Sequence, residues 1–182
     1  MNQRDSAEHY GRMSIGLHWL MMALLAAVYA SIELRGLFPK GSDPRTAMKA
    51  LHFMLGLTVL GLAVVRLMAR ITAPTPRIEP EPSTWQKRLA TLMHAALYGL
   101  MIGLPIIGWL LLSAKGTPIP FFGLELPALI APDKGLAEQL KEVHEALATA
   151  GYFLIGLHAA AALFHHYLVR DNTLLRMLPS RG

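Results

Sequence analysis

Four apolar runs, each close to the length that crosses a bilayer, constrain this chain more than any other feature of its sequence. They cover residues 16–32, 50–65, 89–112 and 143–169. A helix needs about 20 apolar residues to span the hydrocarbon core, and backbone groups in lipid must be satisfied inside the protein. None of the runs alternates with the two-residue period of an outer-membrane barrel. The runs therefore predict four transmembrane helices.

Composition agrees with a membrane protein that folds as one unit. Hydrophobic residues make up 53% of the 182 residues, charged residues only 16%, and the mean hydropathy is +0.39. We predict an all-α fold, an integral membrane four-helix bundle that occupies residues 1–182 as a single domain. The first run is expected to be a retained span, because it is long for a signal peptide and contains His18 and Trp19. The predicted helices lie at about 14–35, 45–70, 86–112 and 137–169.

The chain contains no cysteine, which limits the chemistry it can support. Disulfides, iron–sulfur clusters, thiolate zinc sites and covalently attached c-type haem all need a thiol and are excluded. Any metal or cofactor must be held by imidazole, carboxylate or backbone groups. The sequence pI is near 9.7, but Lys and Arg cluster at the ends of the apolar runs and form no basic stripe. Nucleic acid is therefore not an expected partner.

Basic residues near the span ends predict the orientation in a bacterial inner membrane. If the N-terminus is cytoplasmic, ten of the 17 Lys and Arg residues lie inside and seven outside, so both termini are predicted to be cytoplasmic. The inner set is Arg4, Arg12, Arg66, Arg70, Arg77, Lys87, Arg88, Arg170, Arg176 and Arg181, and the outer set is Arg35, Lys40, Arg45, Lys49, Lys115, Lys134 and Lys141. The outer set is larger than this rule leads one to expect, which suggests a further task for it.

Five histidines fall inside the predicted spans, where ionisable side chains are costly and mark functional sites. His144 and His158 are fourteen residues apart on the fourth span, which places them on one helix face about 21 Å apart along the axis. His52 on the second span is level with His144, so these two form an outer pair. At the inner level, His158 can meet either His18 on the first span or His94 on the third.

Facing imidazoles at two depths are the ligand set of two b-type haems stacked across a membrane. Haem iron accepts axial imidazole, and four-helix bundles build cofactor sites from side chains on facing helices. A zinc site is the main chemical alternative, but ligands about 21 Å apart cannot serve one ion. A non-haem membrane protein, whose histidines only make hydrogen bonds between helices, is the structural alternative.

Other residues on these spans have both a haem-related and a structural interpretation. Arg66 lies fourteen residues after His52, on the same face at the inner level. We predict that Arg66 pairs with a haem propionate, and a snorkelling arginine at the helix end is the alternative. Small residues on the second and fourth spans leave room for a macrocycle or for close helix contact; they are Gly56, Gly61, Gly151 and Gly156.

With these residues in place, the chain resembles the bacterial di-haem cytochrome b561 family, and particularly its small stand-alone members described as superoxide:ubiquinone oxidoreductases. The resemblance extends over nearly the whole chain, and its longest segment covers the fourth span. The matching stretches are SIGLHWLM (14–21), ELRGLFPKGSDPR (33–45), KALHFMLG (49–56), the segment 64–80, LPIIGW (104–109) and the segment 141–179. The wider family includes membrane cytochrome b subunits of formate dehydrogenases and nickel–iron hydrogenases.

The resemblance implies a ligand set and an activity. It implies that His18 and His158 hold the inner haem b, and that His52 and His144 hold the outer one. It further implies an oxidoreductase that passes electrons from periplasmic superoxide to ubiquinone, giving O₂ and ubiquinol, with no obligatory protein partner. The alternative function is a haem b subunit that links a dehydrogenase or hydrogenase to the quinone pool.

Under this function, the outer cations and the remaining histidines receive predicted roles. Arg35, Lys40, Arg45 and Lys49 are predicted to form a positive funnel that raises the on-rate of superoxide; the alternative is that they bind lipid headgroups or balance nearby carboxylates.

Seven residues beyond His158 and on the same helix face, His165 is a candidate for the quinone side, as is His94 if it does not bind iron. Ser14 and Trp19 are weaker candidates, and His166 is predicted to lie at the membrane interface.

Overall fold

The computed structural model describes residues 10–72 and 75–178, so the predicted cytoplasmic residues Arg4 and Arg181 lie outside the described part. Its main elements are four long helices whose sequence neighbours run antiparallel: α1 (Arg12–Leu34), α2 (Asp43–Thr72), α3 (Thr84–Ala114) and α4 (Lys134–Phe164). All four are long and apolar enough to cross a membrane. The predicted all-α membrane bundle with four spans is confirmed, and the helix ends differ from the predicted ones by a few residues.

Local polar contacts fix where the third and fourth helices begin. Before α3, the side chain of Gln86 accepts a hydrogen bond from the Ser83 amide at 2.9 Å, one half of a capping box. Before α4, the Asp133 carboxylate accepts from the Leu136 amide at 3.0 Å. Each contact satisfies a backbone donor at the start or entry of the helix. The polar residues between the apolar runs thus set the boundaries of the spans.

The helices pack in sequence order around an apolar centre. Its most buried members are Met21 of α1 and Val59 and Ala63 of α2, at 2%, 2% and 0% exposure, and Met101 and Ile102 of α3 pack against them. Close backbone contact joins α1 to α2, α2 to α3 and α3 to α4, whereas α4 and α1 approach each other less closely in the described residues. The backbones of α1 and α4 thus lie further apart than those of helices that follow each other in the chain.

One aromatic contact bridges α1 and α4 near mid-height. The Tyr29 hydroxyl donates to the Ala148 carbonyl at 2.9 Å, and the Tyr29 ring lies 4.2 Å from that of Tyr152. A Cβ atom on Gly151 would collide with the Tyr29 hydroxyl oxygen, so any larger residue there would have to displace that hydroxyl. Gly151 thus serves close helix contact, the second of its two predicted roles. By contrast, Gly156 has no atom within 4 Å of a built Cβ.

A short β-hairpin marks one end of the bundle, called here the hairpin end. Strands β1 (Ile119–Phe121) and β2 (Leu124–Leu126) pair antiparallel. The turn residues Phe122 and Gly123 both have positive φ, 47° and 86°, as a two-residue type I′ turn requires. The predicted all-α fold did not include these strands, because three-residue strands are too short to leave a clear alternation. The indole of Trp109 ties α3 to the segment after the hairpin by donating to the Pro127 carbonyl at 3.0 Å.

At the opposite end, residues 170–178 fold back over the bundle and form what we call the terminal cap. A π-helical turn (His165–Val169) ends α4, and a 3₁₀ turn (Leu175–Met177) follows. The Trp19 indole donates to the Met177 carbonyl at 2.7 Å. Asn172 binds the α2–α3 connection through two hydrogen bonds. Its side-chain oxygen accepts from the Glu79 backbone amide at 3.0 Å, and its backbone amide donates to the Glu79 carbonyl at 3.2 Å.

The terminal cap contains a buried carboxylate. Asp171 is 4% exposed, accepts a hydrogen bond from the Thr173 amide at 2.8 Å, and lies 2.5 Å from His165 Nδ1. Burial by itself raises the pKa of Asp171, but these hydrogen bonds outweigh it, so the pKa lies below the ordinary value of 3.8. Asp171 is therefore ionised at neutral pH and stabilises the cap in that form.

We expect Gly151→Ala to destabilise the bundle by about 1–3 kcal/mol, because the new methyl group must push the Tyr29 hydroxyl aside. The measurement is the thermal midpoint in detergent. Gly103→Ala on α3 is the control, because a Cβ built there meets no atom within 4 Å, and we expect it to leave the midpoint unchanged or slightly raised, since alanine favours helix over glycine. Equal midpoints for the two variants would contradict the close contact.

We expect Asp171→Asn to lower stability at pH 7 by about 1–3 kcal/mol, the range for hydrogen bonds to a charged group. Because the folded-state pKa is depressed, this stabilisation is present above about pH 4 and is lost as the pH falls through the folded value. Thermal midpoints from pH 7 to pH 3 should therefore converge for the two proteins. A difference between the two thermal midpoints that is the same at pH 7 and pH 3 would show that the charge of Asp171 does not contribute to stability. Glu81→Gln, an exposed carboxylate at the same end, is the control.

Candidate functional site

At the hairpin end, the predicted outer pair of histidines faces across the bundle. The His52 and His144 rings have centroids 6.3 Å apart and planes inclined by 75°. Nδ1 of His52 lies 3.0 Å from the Val28 carbonyl oxygen, and a carbonyl can only accept, so Nδ1 carries the proton. This leaves the lone pair on Nε2. Such a backbone contact is the usual way in which a metal-binding histidine is oriented.

The ring separation is itself informative. If a nitrogen–metal bond is about 2 Å and the nitrogen lies about 1.2 Å from the ring centroid, two imidazoles on opposite sides of one metal have centroids about 6.4 Å apart. The His52–His144 distance is 6.3 Å. The two rings are therefore spaced as a pair of axial ligands would be.

Nearer the terminal cap, three imidazoles and an arginine form a second cluster. The His158 ring is 6.3 Å from that of His18 and 5.6 Å from that of His94. Only the His18 separation matches that of two ligands on opposite sides of one metal. Nδ1 of His94 lies 2.6 Å from the Ala90 carbonyl oxygen of the same helix and donates to it. The sequence allowed either His18 or His94 as the partner of His158, and the structure places both of them beside it.

Arg66 occupies this second level, on the helix face that the sequence predicted. Its Nη2 lies 2.7 Å from Nδ1 of His18. A guanidinium only donates, so this contact needs an unprotonated Nδ1 and a proton on Nε2. Iron binding through Nε2 requires the opposite arrangement. The Arg66–His18 contact and iron ligation by Nε2 therefore exclude each other, and ligation would release Arg66 to pair with an anionic group.

The residues present fit two haem groups. All donors are imidazoles, and within 10–72 and 75–178 no three His, Asp or Glu side chains gather tightly enough to hold a metal ion alone. A Cβ built on Gly56, close to the His52 face of α2, meets no atom within 4 Å, so space lies beside that histidine. A Cβ built on Gly108 of α3 would lie 3.4 Å from Cε1 of His144, so this glycine leaves room for the ring.

The four predicted funnel residues lie together at the hairpin end, where α1 turns into α2. Lys40 and Lys49 are exposed, while Arg35 and Arg45 are half-buried. Within the described part of the chain, ion pairs involve other residues, so none of the four balances a carboxylate. Arg45 has a structural task as well: its Nη1 donates to the Phe38 carbonyl at 2.9 Å and to that of Arg35 at 3.2 Å.

The predicted quinone-side residues are placed at the terminal cap or near it. His165 begins the π-helical turn and is bound to Asp171, while His166 is half-buried with its ring 4.8 Å from that of Tyr167. The indole of Trp19 gives its only donor to Met177, so it has none to offer a quinone. Ser14 lies in the first turn of α1.

Three residues of the site were missed by the sequence analysis. Asp171 was passed over because its pairing with His165 depends on how the chain turns after α4. Tyr29 was not singled out because aromatic residues are common in apolar runs. Arg70 was considered only as a cytoplasmic charge, yet its charge acts on His94. Its position four residues after Arg66, which is one helix turn, could have indicated that both arginines lie on the same helix face.

Comparison with known proteins agrees with these features. A model of the prokaryotic cytochrome b561 family matches residues 9–180. The chain is 44% identical over 172 residues to the probable superoxide oxidase CybB of Yersinia pestis, covering 94% of this chain and 97% of that one. It is 41% identical over 172 residues to cytochrome b561 homolog 1 of Escherichia coli K12, covering 94% and 98%. Similarity to cytochrome b561 homolog 2 of that organism is 30% over 186 residues, covering 98% and 95%. With its four spans and the family match over nearly its whole length, the chain belongs to the prokaryotic cytochrome b561 family of membrane haem proteins.

Proposed function

We propose that this protein oxidises superoxide at the hairpin end and reduces ubiquinone toward the terminal cap. Two superoxide anions lose one electron each and become O₂, while one ubiquinone takes up two electrons and two protons. The proposal depends on one observation: the bundle contains two pairs of facing imidazoles at two levels, and in each pair the ring centroids are 6.3 Å apart. One relative is named a probable superoxide oxidase, which supports the choice of substrate.

The proposed cofactors are two b haems, with His52 and His144 as ligands of one and His18 and His158 as ligands of the other. Bound haem supplies a one-electron carrier at each level. The His52 tautomer set by Val28 leaves the Nε2 lone pair for a haem iron, and Arg66, once released from His18, would pair with a propionate. These residues would hold the groups and compensate their charge.

The proposed entry for superoxide is the cationic mouth formed by Arg35, Lys40, Arg45 and Lys49. These charges are not neutralised by ion pairs among the described residues. A field of one sign raises the local concentration and the on-rate of a small anion. Arg35 lies close enough for its charge to act on His52, so the positive field extends to the proposed ligand. We propose that this end faces the periplasm and that both termini lie in the cytoplasm.

The direct test mixes oxidised, haem-loaded protein with superoxide in a stopped-flow instrument and follows the reduced b-type band. We expect reduction within milliseconds, followed by reoxidation when ubiquinone is present. Protein that dithionite reduces but superoxide does not would contradict the proposal. Reduction by ubiquinol alone would instead favour the alternative of a subunit that connects a dehydrogenase or hydrogenase to the quinone pool.

We expect His52→Ala or His144→Ala to lower the haem content from two to one per chain, and His18→Ala or His158→Ala to remove the other haem, because an axial ligand is lost. Pyridine haemochrome analysis of purified protein gives the stoichiometry. His94→Ala is the matched control at the inner level and should keep both haems. The ligand assignment is wrong if His94→Ala loses a haem while His18→Ala keeps it.

We expect Lys49→Gln to slow haem reduction by superoxide roughly threefold at low ionic strength, as one of several charges in a steering field. The effect should shrink as salt shortens the screening length to about 8 Å at physiological ionic strength. Lys141→Gln is the control, because it makes the same change in net charge. Lys141 lies 3.6 Å from Glu145, whose charge already offsets that of the lysine, so we expect little slowing in this variant. A similar slowing in both variants would show that only the net charge matters.

A further inference from the structure

The fold places a buried carboxylate against a histidine that the proposed function leaves without a defined task. α4 ends in a π-helical turn from His165 to Val169, and Arg170 then adopts a left-handed conformation with φ 60° and ψ 39°. The Asp171 amide donates to the His165 carbonyl at 3.2 Å, which brings the Asp171 side chain back to the His165 ring. Both conformations are uncommon and frequently mark functional sites.

The two side chains differ in their exposure. The Asp171 side chain is 1% exposed and that of His165 is 21% exposed, with Oδ2 and Nδ1 2.5 Å apart. The second carboxylate oxygen, Oδ1, accepts from the Thr173 amide at 2.8 Å. The carboxylate is thus enclosed on both oxygens, and the pair can meet a ligand only through the imidazole.

Three segments described in the structure supply the groups around this pair. Arg176 of the terminal cap is the nearby cation: it is 5% exposed, its charge acts on Asp171, and its guanidinium donates to the Pro76 carbonyl. Tyr10, which precedes α1, has its ring 5.7 Å below the Arg176 guanidinium. The α2–α3 connection contributes backbone groups, because Glu79 meets Asn172 through its main chain.

The hydrogen bond fixes what each nitrogen of His165 can do. The Asp171 carboxylate is ionised and only accepts, so the proton between the two belongs on Nδ1. Among the described residues nothing hydrogen-bonds Nε2, which is thus available to a ligand. A carboxylate in this position holds the tautomer and stabilises the imidazolium form, as it does in other proton-transferring histidines.

The position of His165 relates this nitrogen to the proposed haem level. His165 follows His158 by seven residues, which is about 10 Å along the axis and about 20° around it. The imidazole therefore lies just beyond the His158 cluster, on the same face and toward the terminal cap.

We propose that His165 is the proton donor to a quinone reduced at the cap end, and that Asp171 is the residue that positions and charges it. This inference rests on the proposed function. As the quinone gains electrons from the reduced protein, the Nε2–H bond of the His165 imidazolium breaks and an O–H bond forms on a quinone oxygen. Nδ1 keeps its proton on Asp171, and Nε2 takes the next proton from water. Two such transfers balance the two electrons.

The test uses haem-loaded protein whose haems are first reduced chemically, and it follows their oxidation by a short-chain ubiquinone without oxygen. Rates are measured from pH 5.5 to pH 9 for the wild type, Asp171→Asn, Asp171→Glu and His165→Gln. Glu81→Gln is the control, since Glu81 is an exposed carboxylate at the same end that pairs with Lys87 at 2.5 Å. Superoxide is not used, so failure of this proposal is distinguishable from failure of the superoxide activity.

We expect Asp171→Asn to slow oxidation about tenfold at pH 7.5 and to move the pH profile to lower pH, because the imidazolium loses its counter-charge. Asp171→Glu should restore most of the rate. His165→Gln can donate a hydrogen bond but no proton, so kcat should fall about a hundredfold with little change in KM. Glu81→Gln should behave as the wild type does.

An independent measurement is nitrogen NMR of histidine-labelled, haem-loaded protein. We expect one strongly deshielded Nδ1–H signal that disappears in Asp171→Asn and in His165→Gln. Wild-type rates and pH profile in Asp171→Asn would overturn the proposal. A purely structural role for Asp171 would appear as equal slowing in the Asn and Glu variants with an unshifted profile, and this would overturn it too.

Discussion

Every polar side chain inside this bundle must find its partner within the protein, and much of the structure follows from that constraint. Lipid offers no hydrogen bonds, so an imidazole in a spanning helix needs a carbonyl, a charged group or a metal. His52 uses the Val28 carbonyl, and His18 is met by Arg66. In each case the contact engages Nδ1 of the ring and leaves Nε2 for another partner. The same requirement that makes these residues costly also orients them.

The sequence predicted the spans and the two histidine levels, because both depend on periodicity along single helices. Fourteen residues return nearly to the same face of a helix, so His144 and His158 share a face whatever surrounds them. The choice between His18 and His94 was different, since both lie near His158 and the relevant distances are 6.3 Å and 5.6 Å. A difference of this size comes from packing and cannot be obtained from spacing.

The features that the sequence did not predict lie where the helices stop. The hairpin depends on positive φ angles at Phe122 and Gly123, and the Asp171–His165 pair depends on a left-handed Arg170. Non-glycine residues adopt this conformation rarely, and only where the surrounding structure enforces it. A prediction from composition assigns such segments only as loops between helices. In this protein they close the two ends of the bundle and place charged groups beside the interior.

The contact between Tyr29 and Gly151 ties α1 to α4 between the two histidine levels. Gly151 lies seven residues from both His144 and His158 along α4, and the Tyr29 hydroxyl reaches the Ala148 carbonyl oxygen at 2.9 Å. A side chain at position 151 would collide with that hydroxyl. The absence of a side chain at one position therefore sets how closely α1 and α4 approach midway between the two histidine pairs, so the packing of these helices and the geometry of both pairs depend on the same residue.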